Sequence, residues 1–225
     1  MMAAYFRATL AIIRKDLAAE MRSRELISAM LVFSLLVVLI FNFALELDRA
    51  ARENVGAGVL WVTFTFAGTL GLNRAFATEK DRGSLDGLLL APVDRTVIFF
   101  GKLAGTLVFM LIVEAFVIPV FSILYGISLF QPMLLVVVLL GTLGYAAVGT
   151  LLASMAVQTR TRDVMLPILL FPVAVPVIIA SVKASVGILT AADWSDIALW
   201  FNMLIVYDVI FLAVAYMVFD YVVEE

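Results

Sequence analysis

Of 225 residues, 64% are hydrophobic and only 15% charged, and the mean hydropathy is +1.13. A soluble domain is about 45–50% apolar and about 25% charged; one core in a chain this size cannot bury such an excess, so lipid is the solvent that accepts it. A net charge of −3 gives no basic excess for nucleic acid, and the lack of any Cys or His excludes disulfides, cysteine nucleophiles, thiolate or histidine metal sites and Ser–His hydrolysis.

In residues 1–25, Phe6, Leu10, Ile13, Leu17 and Met21 recur at three- and four-residue steps, with Arg7, Arg14, Lys15, Asp16 and Glu20 between them. The spacing predicts an amphipathic helix, basic on its polar side, suited to the cytoplasmic interface. It is either a topology anchor or an elbow leading into the first span. The charges run from Arg7 to Arg24 with no separate apolar core, so no cleavable signal is expected.

A spanning helix needs roughly 20 mostly apolar residues. Six runs qualify: 26–45, 54–72, 103–125, 133–157, 164–181 and 197–219. Arg7, Arg14, Lys15, Arg22 and Arg24 precede the first; Arg74, Lys80, Arg82, Arg95 and Lys102 lie between the second and third; Arg160 and Arg162 lie between the fourth and fifth. The opposite side has only Arg49, Arg52 and Lys183. The positive-inside rule then places both termini in the cytoplasm.

Residues 73–102 form the one long cytoplasmic connection. Glu79, Lys80, Asp81 and Arg82 alternate in sign, Leu85, Leu88 and Leu89 follow at helical spacing, and Pro92 ends the segment. A short helix of this kind either docks into a groove on a soluble protein or packs against its own spans.

Further along, Glu114 and Asp208 interrupt the third and sixth spans near their middles. An acidic residue there costs about 2.5–3.5 kcal/mol on insertion scales, so each must face protein or water. They serve either a proton path, with Asn202 and Ser122 as polar company, or interhelical and dimer contacts. Tyr207-Asp208 matches half of an intramembrane aspartyl protease signature, but no Gly-x-Gly-Asp follows. Gly141, Gly144 and Gly149 lighten the fourth span. Pro167, Pro172 and Pro176 each remove a backbone donor from the fifth, which should kink, as a packing bend or as a hinge. Trp194, Trp200 and Phe201 fit an interfacial aromatic belt, and Asp193 and Asp196 beside them could also meet an external partner.

The run Glu79-Lys80-Asp81-Arg82-Gly83-Ser84-Leu85-Asp86-Gly87-Leu88-Leu89-Leu90-Ala91-Pro92 resembles the coupling segment of ABC-2-type export permeases. Within that superfamily the chain is most similar to the haem exporter protein B family of cytochrome c maturation. Length, six spans and the proline-punctuated run Phe171-Pro172-Val173-Ala174-Val175-Pro176-Val177 carry that likeness, which covers essentially the whole chain. Gly87 departs from the pattern, where a longer side chain is expected; glycine in a helix costs roughly 1 kcal/mol.

The resemblance implies a single all-α, ABC-2 (type V exporter-like) membrane domain over residues 1–225. It would have an elbow helix at 1–25 and a coupling helix at 79–92. It implies a bacterial inner-membrane permease that is not itself an enzyme. A separate cytoplasmic ATPase would bind ATP, since the chain has no GxxxxGK[ST] phosphate loop. Haem is the implied cargo, with its ligands in other subunits. The implied partners are a second copy of the chain, a haem-handling membrane subunit, a periplasmic haem chaperone and lipid. No cofactor or metal is expected on this chain. Two rival functions stay open: an ABC-2 exporter of another substrate, and a self-contained proton-coupled transporter using Glu114 and Asp208.

Overall fold

The computed structural model describes residues 2–45, 49–81, 94–156, 159 and 161–224. Regular structure among them is entirely helical: α1 (Met2–Ser23), α2 (Glu25–Ala44), α3 (Arg49–Asp81), α4 (Arg95–Tyr125), α5 (Pro132–Ala156), α6 (Arg162–Leu189) and α7 (Trp194–Glu224). Six stretches are long and apolar enough to cross a membrane: Glu25–Ala44, Arg52–Arg74, Arg95–Tyr125, Pro132–Ala156, Val164–Leu189 and Trp194–Phe219. The six expected spans are all there.

Their ends differ from expectation. Helix α3 does not stop near residue 72 but runs on to Asp81. Ala75, Ala77, Glu79 and Lys80 are good helix formers, and no glycine or proline intervenes before Gly83. Glu79, Lys80 and Asp81 therefore lie on α3, which is described as far as Asp81. The remaining coupling residues, Arg82, Gly83, Ser84, Leu85, Leu88, Leu89 and Pro92, with Gly87, lie outside the described residues. Helix α4 starts at Arg95 rather than near 103, because Asp94 caps it: the carboxylate accepts from the Thr96 N–H at 2.9 Å. Helix α6 continues beyond residue 181 to Leu189, so Lys183, counted above as a loop residue, is an exposed side chain on a helix. Pro167, Pro172 and Pro176 all lie within α6, and Pro119 lies within α4.

Helix α5 is the hub, packing against α3, α4, α6 and α7. Small residues make this possible, because they let backbones approach closely where lipid supplies no hydrophobic drive. Along one face, steps of four on α5 meet ascending positions on α3: Gly141 against Trp61, Tyr145 against Thr65 and Thr69, Gly149 against Leu72. Two alternate spans thus run in parallel. Polar contacts fix the register. The Trp61 indole donates to Ser185 Oγ at 2.9 Å, and the Tyr145 hydroxyl reaches Thr69 Oγ1 at 2.6 Å and the Thr65 carbonyl at 2.8 Å.

A Cβ on Gly141 would run into Ser181 Oγ and the Trp61 ring, whereas one on Gly58 would meet nothing within 4 Å. Gly141→Val should therefore cost about 1–3 kcal/mol from overpacking, before any loss of the Trp61–Ser185 bond. The expected result is a lower thermal midpoint of the detergent-purified protein, with Gly58→Ala at or slightly above wild type.

Helix α2 buries only a narrow stripe, Leu26, Met30, Ser34 and Val38, at steps of four. Its other face, with Val32, Leu36, Leu39, Ile40 and Phe43, is exposed, as are Leu199, Val206, Val209, Tyr216 and Met217 of α7. These are the apolar surfaces that the composition required lipid to cover.

Candidate functional site

The two carboxyls inside the spans sit on different sides of α5. Glu114 of α4 is 2% exposed and its Oε1 accepts from the Thr142 hydroxyl at 2.6 Å; Oε2 has no hydrogen-bond partner among the described residues. Asp208 of α7 is 4% exposed and neither of its oxygens has such a partner. It packs on Gly144, where an added Cβ would run into Oδ1 and come within 3.0 Å of the Tyr207 ring and 3.1 Å of Val177. Thr142 and Gly144 are two residues apart, about 200° around a helix. The α5 backbone thus stands between the carboxyls, which do not form a dyad.

The expected polar company lies elsewhere. Asn202 is exposed. Ser122 closes the end of α4, its carbonyl accepting from Ile127 N at 3.2 Å and its hydroxyl oxygen from Leu129 N at 3.3 Å, around Gly126 in the left-handed region (φ 66°). The actual neighbours, Thr142 and Gly144, were visible in sequence only as small residues in an apolar run; what they face depends on packing. Beside Asp208, the Tyr207 hydroxyl donates to the Val173 carbonyl at 2.9 Å, between Pro172 and Pro176. This ties α7 to the proline-rich stretch of α6.

The end where the first span begins is held by ionic contacts. Arg74 of α3 pairs with Glu25 at the start of α2. Lys102 Nζ of α4 lies 2.9 Å from Asp16 Oδ2 of α1, their side chains 5% and 15% exposed. Helix α1 turns Tyr5, Ile12, Asp16 and Glu20 towards the protein and leaves Phe6 (70% exposed) and Met21 (75%) outside. At the other end, Arg52 Nη1 donates to the Tyr125 carbonyl at 3.4 Å, a cation at a helix C-terminus. Trp194 and Phe201 pair there with ring centroids 5.7 Å apart, and Asp193 and Asp196 are exposed beside them.

No group of three or more Asp or Glu side chains that could hold a metal ion occurs among the described residues. Six spans packed around a small-residue hub, with buried polar groups used between helices, define a multi-pass α-helical integral membrane permease. The chain belongs to the CcmB protein family, whose profile matches residues 7–224. It is 25% identical over 171 residues to heme exporter protein B of Pseudomonas aeruginosa, covering 76% of this chain and 77% of that one. It is 30% identical over 176 residues to heme exporter protein B of Paracoccus denitrificans (77% and 80%) and 28% identical over 170 residues to that of Rhodobacter capsulatus (75% and 78%).

Proposed function

We propose that this chain is the membrane permease subunit of an ABC complex that exports haem, or releases it by ATP hydrolysis to a periplasmic chaperone, during cytochrome c maturation. The observation that carries this reading is the family match over almost the whole chain, joined to relatives named heme exporter protein B. ATP is bound and hydrolysed by a separate cytoplasmic subunit, since these residues hold no phosphate loop. That subunit docks on residues 79–92, which begin on α3 and precede α4. Two copies of the chain pair with two ATPases, and a haem-handling membrane subunit and the chaperone complete the route. The chain itself keeps no cofactor, and haem passes as cargo. Helix α1 serves as the interfacial elbow, with its outward apolar stripe in the membrane surface. Glu114 and Asp208 are packing groups on two faces of α5, a role that their separation favours over a shared proton path.

Deleting the gene should abolish haem-stained c-type cytochromes, and re-expressing the chain should restore them. Normal c-type cytochromes in the deletion strain would overturn the reading. Topology is tested independently, because the chain has no cysteine of its own. Single cysteines at Ser84 and Glu225 should resist an impermeant thiol reagent in intact cells, and those at Arg49 and Asp193 should react. External labelling at residue 84 would reverse the orientation and remove the docking segment from the ATPase's side.

A further inference from the structure

We infer that the outward face of α7 seats a single membrane-spanning helix of a different protein, one that brings a hydrogen-bonding side chain to Asn202 and Lys or Arg to both ends of its span. The inference deepens the proposed function, on which it rests for the expectation of further membrane subunits. Helix α7 has two faces. Ile197, Leu204, Tyr207, Asp208, Ala215 and Phe219 are buried against the protein. Leu199, Asn202, Val206, Val209, Ala213 and Tyr216 are exposed on the other side.

Lipid suits the apolar members of that outer face but not Asn202. The Asn202 side chain makes no hydrogen bond among the described residues. It stands about 12 Å along the helix from Trp194 at 1.5 Å per residue, inside the span Trp194–Phe219. A hydrocarbon core of about 30 Å offers an amide neither donor nor acceptor. A neighbouring helix does, and Asn is among the residues that bond across packed spans. The exposed residues also fall at steps of three and four, from Leu199 to Tyr216. That is a seam one helix wide and about 25 Å long, the pattern that receives a second helix crossing at about 20°. Ala213 lets the two backbones come close.

Charge decides which helix fits. From Asp193 to Glu225 the chain has no Lys or Arg. Asp193 and Asp196 are exposed at the start of α7, and Asp220, Glu224 and Glu225 follow its apolar stretch. A second copy laid along α7 on a two-fold axis would satisfy Asn202 with Asn202. It would also set like charges together at both ends of the span, which works against association. A helix with basic residues at both ends meets the same carboxylates as partners. Its basic residues beside Asp193 and Asp196 are the more selective feature, because few spans carry Lys or Arg on the external side. The second copy expected in the complex therefore sits against another face.

The test uses the whole chain in its native membrane. A photo-cross-linking side chain is placed at Val206, Val209 or Ala213 on the seam, or at Met203 or Val214 beside it, and intact cells are irradiated. The seam positions should join to one other membrane protein and the flanking ones should give little. The joined peptide should come from a spanning helix with Lys or Arg at both ends. Asn202→Leu should lower that yield about threefold or more at unchanged permease level, and Asn202→Gln should keep most of it. Products with lipid only, products with a second copy, or a partner helix without basic ends would overturn the inference, as would a yield untouched by Asn202→Leu. If Asn202→Leu does not accumulate, the comparison of seam with flank in the otherwise unchanged chain decides. Failure of the proposed function would read differently: c-type cytochromes would form normally in the deletion strain, whatever α7 cross-links to.

Discussion

Asp208→Lys should leave little folded permease in the membrane, whereas Asp208→Asn should accumulate and work. Asp208 is buried and packs on Gly144, in a contact that leaves no room even for a Cβ on the glycine, beside Tyr207 and Val177. Lysine costs about as much as aspartate to insert, but it is longer, and forcing it into this contact costs about 1–3 kcal/mol in overpacking. The other carboxyl near the middle of a span, Glu114, is across α5 and engaged with Thr142, so it offers the cation no neutralising partner. At about 1.4 kcal/mol per tenfold, the balance between folded and lost protein shifts by roughly one to two orders of magnitude. Asparagine has nearly the aspartate's shape and leaves the contact with Gly144 intact. Its amide introduces no charge. The measurement is membrane abundance and monodispersity in detergent, with c-type cytochrome formation as the functional arm. Normal accumulation of Asp208→Asn with no function would mean that ionisation matters, and the proton-path reading would replace packing.

That prediction depends on a fact that the sequence does not contain. Crossing a membrane is a property of one stretch of chain, so all six spans were legible from local composition. Helix ends were less so, because hydropathy marks where lipid stops and not where the helix does. Past residue 72 the hydropathy falls, yet Ala75, Ala77 and Glu79 keep α3 going to Asp81. The outward stripe of α1 was legible as a period, Phe6 and Met21 included. Its inward face was not, because the partner of Asp16 is Lys102, far along the chain on another helix. The same holds for Glu114 and Asp208. Their cost could be read from position alone, but their separation by α5 follows from Thr142 and Gly144 pointing to different neighbours. Local signals set the elements, and packing decided which polar groups met.

The prediction with the widest consequence concerns the connection between α3 and α4. Leu88→Asp should reduce recovery of the ATPase with the detergent-purified permease by more than tenfold, while permease levels in the membrane stay normal. Leu85, Leu88 and Leu89 recur at helical spacing beside the charged run Glu79, Lys80, Asp81 and Arg82. In a docking helix the leucines fill a groove and the charges set its register, the usual division between anchor and rim. Burying one leucine is worth about 1.5–3 kcal/mol, and an aspartate in its place adds the cost of stripping water from a charge. Even the lower figure exceeds the 1.4 kcal/mol or so of a tenfold change in affinity. Insertion should be untouched, because residue 88 lies outside all six spans. Helix α4 starts under its own Asp94 cap, after the substituted residue, so the start of that span does not depend on Leu88. Full ATPase recovery with Leu88→Asp at normal membrane levels would show that the enzyme docks elsewhere. The coupling role of residues 79–92 would then be lost.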